Sequence, residues 1–294
     1  MENATVSNNS LTRNEVVRLR EVSPGCFAVL IDNPPLNLID PQVFAGLLAV
    51  KAYAEDPTHN VRVLVFESAN PEFFVAHMDL SVDLEVFKDA ASDSGMPDAA
   101  DIARAWSDLS QWLSTAPVVS IAILRGRARG VGYTLAATVD MRFASKENAR
   151  LCLPEVGFGA LPDGGGLEWA QIHAGRARAM EFMLSADDFD ADTAALYGLV
   201  NRSIPDTELD DYVYRLARRI ASFNPAAIAM VKSYLTKRQP IPLPEDLADT
   251  SAAGMSLHSS EAAQAAIGRI LTKAGGLPFS YAVELDLPRL CDED

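Results

Sequence analysis

A glycine-punctuated turn followed by an apolar helix, and two acidic residues further along the chain, are the features of this sequence best suited to chemistry. The turn and helix lie in RGRARGVGYTLAATVD, residues 125–140, and the acids are Glu155 and Asp163. The first backbone N–H groups of a helix have no partner within it, so they can bind a developing negative charge. A carboxylate in an apolar pocket can move a proton, because burial raises its pKa towards the working pH. Proton chemistry would favour a second carboxylate within the helix, but residue 134, where it is sought, is a threonine.

The composition indicates a globular protein with a large core, because 49% of its 294 residues are hydrophobic. A formal net charge of -15 argues against nucleic acid as a partner, and an anionic ligand would need a local basic patch. Cys26, Cys152 and Cys291 form neither a CxxC pair nor a disulfide framework, which favours a reducing compartment. The sequence shows neither a signal-peptide pattern nor an apolar run of bilayer length. We therefore expect a cytoplasmic protein with no membrane partner.

Strand-like and helix-like segments alternate along most of the chain before it becomes wholly helical. Residues 1–14 are polar and rich in Asn and Ser, which predicts a disordered N-terminal segment. Residues 15–205 contain short apolar runs typical of strands, alternating with helical periodicity. One helix is expected to begin with Asp40 as its N-cap and Pro41 at its first position. Residues 206–294 show helical periodicity only, so an α/β core precedes a helical region, although the pattern does not fix the sheet topology.

Four segments carry a resemblance to a known family, because they occur in the right order with fitting gaps. They are NPPLNLID; PEFFVAHMDL; RGRARGVGYTLAATVDMRFAS followed by LCLPEVGFGALPDGGG; and GRARAMEFMLSADDFDADTAALYGLVNRSIPD. From about Val16 to Leu271 the chain resembles the enoyl-CoA hydratase/isomerase, or crotonase, superfamily. The resemblance implies an α/β fold, a crotonase-like spiral of ββα units whose helical C-terminal region covers the site and mediates oligomerisation. It also implies acyl-CoA thioester substrates, homotrimers or dimers of trimers, and neither a metal nor a covalently bound cofactor.

The resemblance assigns the oxyanion to two backbone N–H groups, those of Met78 and Val131. Such preorganised donors hold the negative charge that develops on a thioester oxygen, typically contributing ~3–4 kcal/mol each. The family prefers small residues at both positions and glycine at His77. We expect the larger side chains to reshape the pocket while the backbone donors remain, and loss of the oxyanion hole is the alternative. The resemblance places the substrate-binding residues around these donors: Ala76, His77, Asp79, Leu80, Gly130, Gly132, Thr134 and Pro154.

The acids depart from the hydratase pattern that the resemblance brings with it. Family hydratases hold and activate water with two glutamates; the first aligns with Thr134, which cannot act as a carboxylate base, and the second with Glu155. A surface-loop acid is the alternative interpretation of Glu155. Some family isomerases use an acid at the position of Asp163 to move protons along the acyl chain. Asp163 also precedes a predicted helix, so N-capping and catalysis both remain open for it. Thr134 has the further option of a hydrogen bond within its own helix.

Basic side chains near these segments have two interpretations each. Arg127 and Arg129 are candidates for contacts with CoA phosphates, or else are solvated loop charges. His77 adjoins an expected oxyanion donor, so it is a candidate acid or base, with a plain pocket wall as the alternative. The four histidines show no metal-ligand spacing, so no metal site is predicted.

The acids present favour isomerisation over hydration. One carboxylate can carry a proton from carbon to carbon, whereas water addition needs a water molecule that is both oriented and deprotonated. The leading expectation is an enoyl-CoA or dienoyl-CoA isomerase-like enzyme with Glu155 as acid/base and with Asp163, Met78 and Val131 as further catalytic positions. The alternatives are an enoyl-CoA hydratase, a C–C bond hydrolase or decarboxylase on the same scaffold, and a non-catalytic acyl-CoA-binding relative.

Overall fold

The computed structural model describes residues 11–273, apart from residues 13, 80–98 and 240, together with Pro288. Most of the N-terminal segment predicted as disordered, residues 1–14, therefore lies outside the described residues. Its described part is held against the first strand: Leu11 N–H donates to Leu19 O at 2.8 Å, and Asn14 Oδ1 accepts from Val17 N–H at 2.7 Å. The described residues of this segment thus pair with the strand that follows them.

The strands of the described residues form two sheets. The larger sheet contains β1 (Val17–Ser23), β2 (Cys26–Ile31), β3 (Val63–Ser68), β5 (Val119–Leu124), β7 (Met141–Ser145) and β10 (Arg202–Ile204), side by side in that order. Its first two strands are antiparallel and the other neighbours are parallel. The smaller sheet contains β4 (Phe73–Val75), β6 (Arg127–Arg129), β8 (Arg150–Cys152) and β9 (Phe189–Asp190), parallel except for the last pair.

Helices separate the strands and then form the C-terminal region. Those within the core are α1 (Pro41–Glu55), α2 (Ala99–Thr115), α3 (Val131–Thr138), α4 (Gly166–Ala174), α5 (Arg176–Leu184) and α6 (Ala191–Tyr197). Those of the C-terminal region are α7 (Asp206–Ala221), α8 (Pro225–Arg238), α9 (Pro244–His258) and α10 (Glu261–Lys273). Short 3-10 turns occur at Pro57–His59 and Glu155–Phe158. In the described part of the chain, none of the helices has both the length and the hydrophobicity that a membrane crossing requires.

The two sheets are linked by a repeated unit of two strands and a helix. β3, β5 and β7 each lie in the larger sheet, and each is followed by a strand of the smaller one, β4, β6 and β8. A helix then follows, α2 after β4, α3 after β6 and α4 after β8. This succession confirms the predicted α/β spiral of ββα units, and α7 to α10 confirm the helical C-terminal region.

Alternation along the central strands builds a core on both faces of the larger sheet. Val65 of β3 packs with a cluster that includes Leu209 and Val213 of α7, whereas Leu64 and Phe66 point into the main core on the other face. A strand turns successive side chains to opposite faces, so one apolar run can serve two cores. The larger sheet therefore carries an apolar core on each of its two faces.

Local capping matches the expectation for α1. Asp40 Oδ1 accepts from Val43 N–H at 2.8 Å, and Pro41 occupies the first helical position. The cap satisfies a donor that would otherwise lack a partner at the helix start.

Candidate active site

Three loops meet where the parallel strands of the smaller sheet end. β4, β6 and β8 are neighbours with the same direction, so the residues that follow them emerge at one edge of the sheet. The loop after β4 carries residues 76–79, Gly130 follows β6, and Glu155 follows β8 by three residues. The sheet therefore brings together candidate residues that are far apart in the sequence.

Gly130 is the point at which these loops touch. A Cβ atom on Gly130 would lie 2.9 Å from Glu155 Oε1 and 3.8 Å from His77 Cβ. The backbone of Gly130 has φ of +49°, which side-chain-bearing residues rarely adopt. Gly130 N–H donates to Cys152 O at 3.0 Å, which fixes the turn to the end of β8. Glycine adopts this φ without strain and leaves the carboxyl group of Glu155 in place.

The first turn of α3 presents backbone donors beside Gly130. α3 begins at Val131 with Gly130 as N-cap, and no side chain caps it. Among the described residues, no group accepts a hydrogen bond from Val131 N–H. Gly132 holds the helix start against β4, because a Cβ there would lie 2.2 Å from Val75 O. The turn thus keeps the feature expected of an oxyanion donor at Val131.

Met78 lies opposite Ile39 in an isolated parallel bridge. Ile39 N–H donates to His77 O at 2.9 Å, and Asp79 N–H donates to Ile39 O at 3.0 Å. In a parallel bridge the central residue turns its own N–H and C=O away from the partner strand. Within the described part of the chain Met78 N–H meets no acceptor, so it also keeps the feature expected of a donor. The convergence of the Met78 and Val131 donors on one oxygen stays a prediction.

Glu155 is a half-buried residue whose carboxyl group is withdrawn from water. Its Oε2 is inaccessible and has no hydrogen-bond partner among the described residues. Loss of hydration raises the pKa of Glu155 to about 8, with a further increase from the negative charge of Asp163 and an opposing effect of His77. At neutral pH this carboxyl group is therefore mostly protonated, which suits a group that donates or shuttles a proton.

Asp163 does not cap the helix that follows it, so the N-capping interpretation is wrong. The helix begins at Gly166 with Gly165 as N-cap, and no side chain caps it; Gly166 N–H donates instead to the backbone oxygen of Asp163 at 3.0 Å. The Asp163 carboxyl group is directed towards α9, where its Oδ2 lies 3.1 Å from a Cβ built on Gly254. Asp163 therefore remains a charged neighbour of Glu155 and a candidate for proton chemistry.

The hydroxyl group of Thr134 is hydrogen-bonded within its own helix, as expected from its mid-helix position. Its Oγ1 donates to Gly130 O at 3.2 Å, and the residue is buried. Little space remains between Thr134 and the start of α4, because a Cβ atom built on Gly166 would lie 3.0 Å from Thr134 Oγ1. Position 134 therefore supplies neither a carboxylate nor an uncommitted hydroxyl donor to the site.

His77 has a defined ring orientation. Its Nδ1 lies 2.6 Å from the carbonyl oxygen of Met78. A carbonyl oxygen can only accept, so Nδ1 must carry the hydrogen, and Nε2 is the acceptor nitrogen of the neutral ring. The imidazole of this half-buried residue is thus oriented by the backbone of the next residue.

Three of the remaining predicted substrate-binding residues belong to the described loops. Ala76 and Pro154 are buried, and Asp79 is half-buried with its N–H engaged by Ile39 O. Leu80 lies outside the described residues.

Arg129 is not available for CoA phosphates, so that prediction is wrong. Its side chain is completely buried and forms an ion pair with Asp188, with Nη2 to Oδ2 at 2.5 Å. Arg127 is different: its Nη1 lies 3.2 Å from Glu72 Oε2, and its guanidinium lies over the ring of Phe73 while part of it stays accessible. Arg127 stays a candidate for a phosphate contact.

Two contacts around the site were not predicted. Trp106 of α2 donates from Nε1 to Gly164 O at 2.8 Å and so fixes the loop that carries Asp163. Leu247 of α9 packs over the same loop, 3.5 Å from a Cβ built on Gly165. The triple glycine of residues 164–166 was the available signal, because it allows such close packing. Among the described residues, no group of three or more His, Cys, Asp or Glu is placed to hold a metal.

A sequence model of the family described as enoyl-CoA hydratase/isomerase matches residues 21–271. The chain belongs to this family. It is therefore a crotonase-type enzyme that acts on an acyl-CoA, which confirms the resemblance of its four segments.

Known relatives in the enoyl-CoA hydratase/isomerase family carry hydratase and dehydratase names. The carnitinyl-CoA dehydratase of Proteus mirabilis (strain HI4320) is 31% identical over 69% of this chain and 74% of its own length. A crystal structure of a protein provisionally named an enoyl-CoA hydratase, from Streptomyces avermitilis, is 35% identical with a TM-score of 0.84, covering 95% of this chain and 96% of that one. A crystal structure of an enoyl-CoA hydratase from Mycobacterium avium subsp. paratuberculosis K-10 is 25% identical with a TM-score of 0.71, covering 86% of this chain and 96% of that one.

Proposed function

We propose that this family member moves a double bond along the acyl chain of an enoyl-CoA thioester, with Glu155 exchanging the proton. Two observations together support this most strongly. The Glu155 carboxyl group is withdrawn from water and mostly protonated, and the Thr134 hydroxyl is already bonded to Gly130 O. Only one of the two carboxyl positions of the hydratase pattern is filled. The chemistry that needs one carboxyl group therefore fits this chain best.

The thioester oxygen binds, in this proposal, between the N–H groups of Met78 and Val131. Removal of a proton from the carbon next to the thioester places negative charge on that oxygen. Donors at the start of α3 face this charge with the positive end of the helix dipole. The CoA part is carried by the substrate, so the reaction requires no resident cofactor. Arg127 is the candidate for its phosphates.

The environment of Glu155 suits a proton transfer between carbon atoms. A carboxyl group whose pKa lies near the working pH can both give and take a proton at a useful rate. Hydration would require the same pocket to hold and deprotonate a water molecule. The threonine at position 134, whose hydroxyl is bonded to Gly130 O, supplies no second carboxylate for that purpose.

Reversible dehydration of a 3-hydroxyacyl-CoA is the second candidate. It is favoured by the name of the Proteus mirabilis relative, a carnitinyl-CoA dehydratase with 31% identity. The C–C bond hydrolase, the decarboxylase and the non-catalytic binder remain predictions without a supporting contact. Trimeric or hexameric assembly and a cytoplasmic location likewise remain predictions.

A substrate panel separates these reactions. The wild type is assayed with a 3-enoyl-CoA, a 2,4-dienoyl-CoA, crotonyl-CoA and a CoA-free β-diketone. We expect bond migration in one of the first two and a much slower hydration of crotonyl-CoA. Turnover of crotonyl-CoA or of the diketone alone would overturn the proposal, and so would tight thioester binding without any turnover.

Two glutamine variants locate the chemistry. Glu155→Gln is expected to lower kcat for migration on the order of 10²–10⁴-fold while thioester binding persists. The matched control is Glu168→Gln, because Glu168 is also half-buried with an Oε2 that has no partner among the described residues. Equal activity of both variants would remove Glu155 from the mechanism.

A further inference from the structure

The loop that carries Asp163 is held between two helices, neither of which adjoins it in the sequence. On one side, Trp106 of α2 donates from Nε1 to Gly164 O at 2.8 Å, and a Cβ on Gly164 would lie 3.2 Å from the same nitrogen. On the other side, α9 meets the loop at Leu247 and at Gly254. The position of Asp163 is therefore set from two directions.

Gly254 is the residue that brings the Asp163 side chain against α9. A Cβ on Gly254 would lie 3.1 Å from Oδ2, 3.2 Å from Cβ and 3.4 Å from Cγ of Asp163. Because side-chain atoms rarely come so close, any side chain here would push Asp163 and α9 apart.

The backbone of α9 gives no reason of its own for a glycine at position 254. The residue lies within the helix, and its φ is not positive. Glycine in a helix interior costs roughly 0.5–1 kcal/mol relative to alanine. The close approach of Asp163 is the feature of the structure that accounts for this glycine.

The same loop also meets the active site. A Cβ on Gly165 would lie 3.6 Å from Thr134 Cγ2. Thr134 in turn donates to the carbonyl oxygen of Gly130, the residue beside the Glu155 carboxyl group. The negative charge of Asp163 raises the pKa of Glu155. A displacement of Asp163 therefore has a consequence for the proton chemistry of the site.

Other ionisable groups lie on the elements packed around this loop and around the turn of Glu155. Among the described side chains they are His77 after β4, Arg104 and Asp108 on α2, Glu168 on α4, Glu245, Asp246 and Asp249 on α9, and Glu261 and Arg269 on α10. Within this group His77 opposes the effect of Asp163 on the pKa of Glu155. Asp163 is thus the acid whose placement favours a protonated Glu155.

We propose that Gly254 and Trp106 are positioning residues for the isomerisation: they hold the Asp163 carboxyl group where its negative charge favours the protonated form of Glu155. The bond to Gly164 O fixes the loop from α2, and the missing side chain at position 254 admits Asp163 from α9. Both residues act through Asp163, so replacing either should have no effect once Asp163 is neutral. This inference rests on the proposed function, in which Glu155 gives the proton.

The test measures the pKa of Glu155 in the whole protein. Glutamate side-chain carboxyl groups are labelled with carbon-13 and titrated by NMR, and the Glu155 resonance is the one that Glu155→Gln lacks. Gly254→Ala and Trp106→Phe should each change this pKa by about 0.3 or more, because each displaces a charge near a buried carboxyl group. In an Asp163→Asn background, neither replacement should change it.

Two matched controls separate positioning from a general effect on the helices. Gly268→Ala replaces another glycine within a C-terminal helix, but no atom lies within 4 Å of the added Cβ. Trp112→Phe replaces the other tryptophan of α2, whose ring packs against the main core. Both controls should leave the pKa of Glu155 unchanged.

Activity separates this inference from the proposed function. With a 3-enoyl-CoA, the fall of kcat/KM with rising pH should move together with the pKa of Glu155 in each variant. An unchanged pKa in either variant, or an equal change with and without the Asp163 charge, would remove that residue from the positioning role and leave the isomerase standing. A change that depends on Asp163, in a protein that turns over no thioester, would overturn the proposed function and leave the electrostatic coupling in place.

Discussion

Gly130 and Glu155 occupy adjoining space: a Cβ at residue 130 would lie 2.9 Å from Glu155 Oε1, so a side chain there would displace the carboxyl group. The same glycine caps α3 with φ of +49°. One residue therefore sets both the start of the helix, with its free N–H groups, and the position of the acid. This coupling explains how a small turn can align an oxyanion donor with a proton donor.

Substitution of this glycine tests the coupling. Gly130→Ala should destabilise the fold by about 1–3 kcal/mol through backbone strain, and it should also displace the Glu155 carboxyl group, with activity falling at least ~100-fold. The control is Gly175→Ala, where φ is +74° but no atom lies within 4 Å of the added Cβ. Unfolding in urea and thioester turnover are measured for both. Similar activity of the two variants would show that contact with Glu155 is unimportant.

Burial of Glu155 predicts a specific dependence of stability on pH. The pKa is about 8 in the folded protein against an ordinary value of 4.5, so between these values the folded state binds more protons than the unfolded state. Stability contributed by this residue therefore declines as the pH rises from about 4.5 to 8 and is constant outside that window. Glu155→Gln cannot titrate, so it should be more stable than the wild type by a few kcal/mol at pH 9 and similar at pH 4. Urea denaturation across this range measures the difference, and an equal slope in both proteins would contradict it.

Asp163 should tune the acid without replacing it. Its negative charge raises the pKa of Glu155, so Asp163→Asn should lower that pKa. Because Glu155 acts as an acid here, kcat/KM falls as the pH rises through its pKa, and this fall should begin at a lower pH in the variant. Asp108→Asn, which removes an exposed acid on α2, should leave the profile unchanged. A shift to higher pH in Asp163→Asn would contradict the electrostatic account.

Arg129 should matter for stability and Arg127 much less. Arg129→Met leaves the Asp188 carboxylate beside an apolar side chain, which should cost about 3 kcal/mol of unfolding free energy. Arg127→Met breaks a partly exposed pair with Glu72 and should cost less than ~1 kcal/mol. Chemical denaturation compares the two, while titration with CoA tests whether Arg127→Met weakens binding. A marginal cost for Arg129→Met would contradict the assignment of a buried ion pair.

The sequence predicted those features that depend on residues close together in the chain. Asp40 and Pro41 identify the start of α1, and helical periodicity identifies the helices that follow residue 206. The bond from Thr134 to its own helix also followed from its position, because mid-helix threonine reaches the carbonyl four residues earlier.

The remaining features depend on distant partners. The sequence does not reveal that Arg129 is buried, because Asp188, the residue that neutralises its charge, lies 59 positions away. The capping prediction for Asp163 failed because Gly164 and Gly165 adopt positive φ values and delay the helix to Gly166. The tautomer of His77 could not be foreseen either, since it depends on where the carbonyl of Met78 points.

The product formed from a 3-enoyl-CoA in D2O shows whether Glu155 moves the double bond. We expect a 2-enoyl-CoA with deuterium at C4, seen by proton NMR, and no such product when Glu155→Gln replaces the wild type. A 3-hydroxyacyl-CoA as the sole product, or the same C4-labelled product from Glu155→Gln at the wild-type rate, would contradict it.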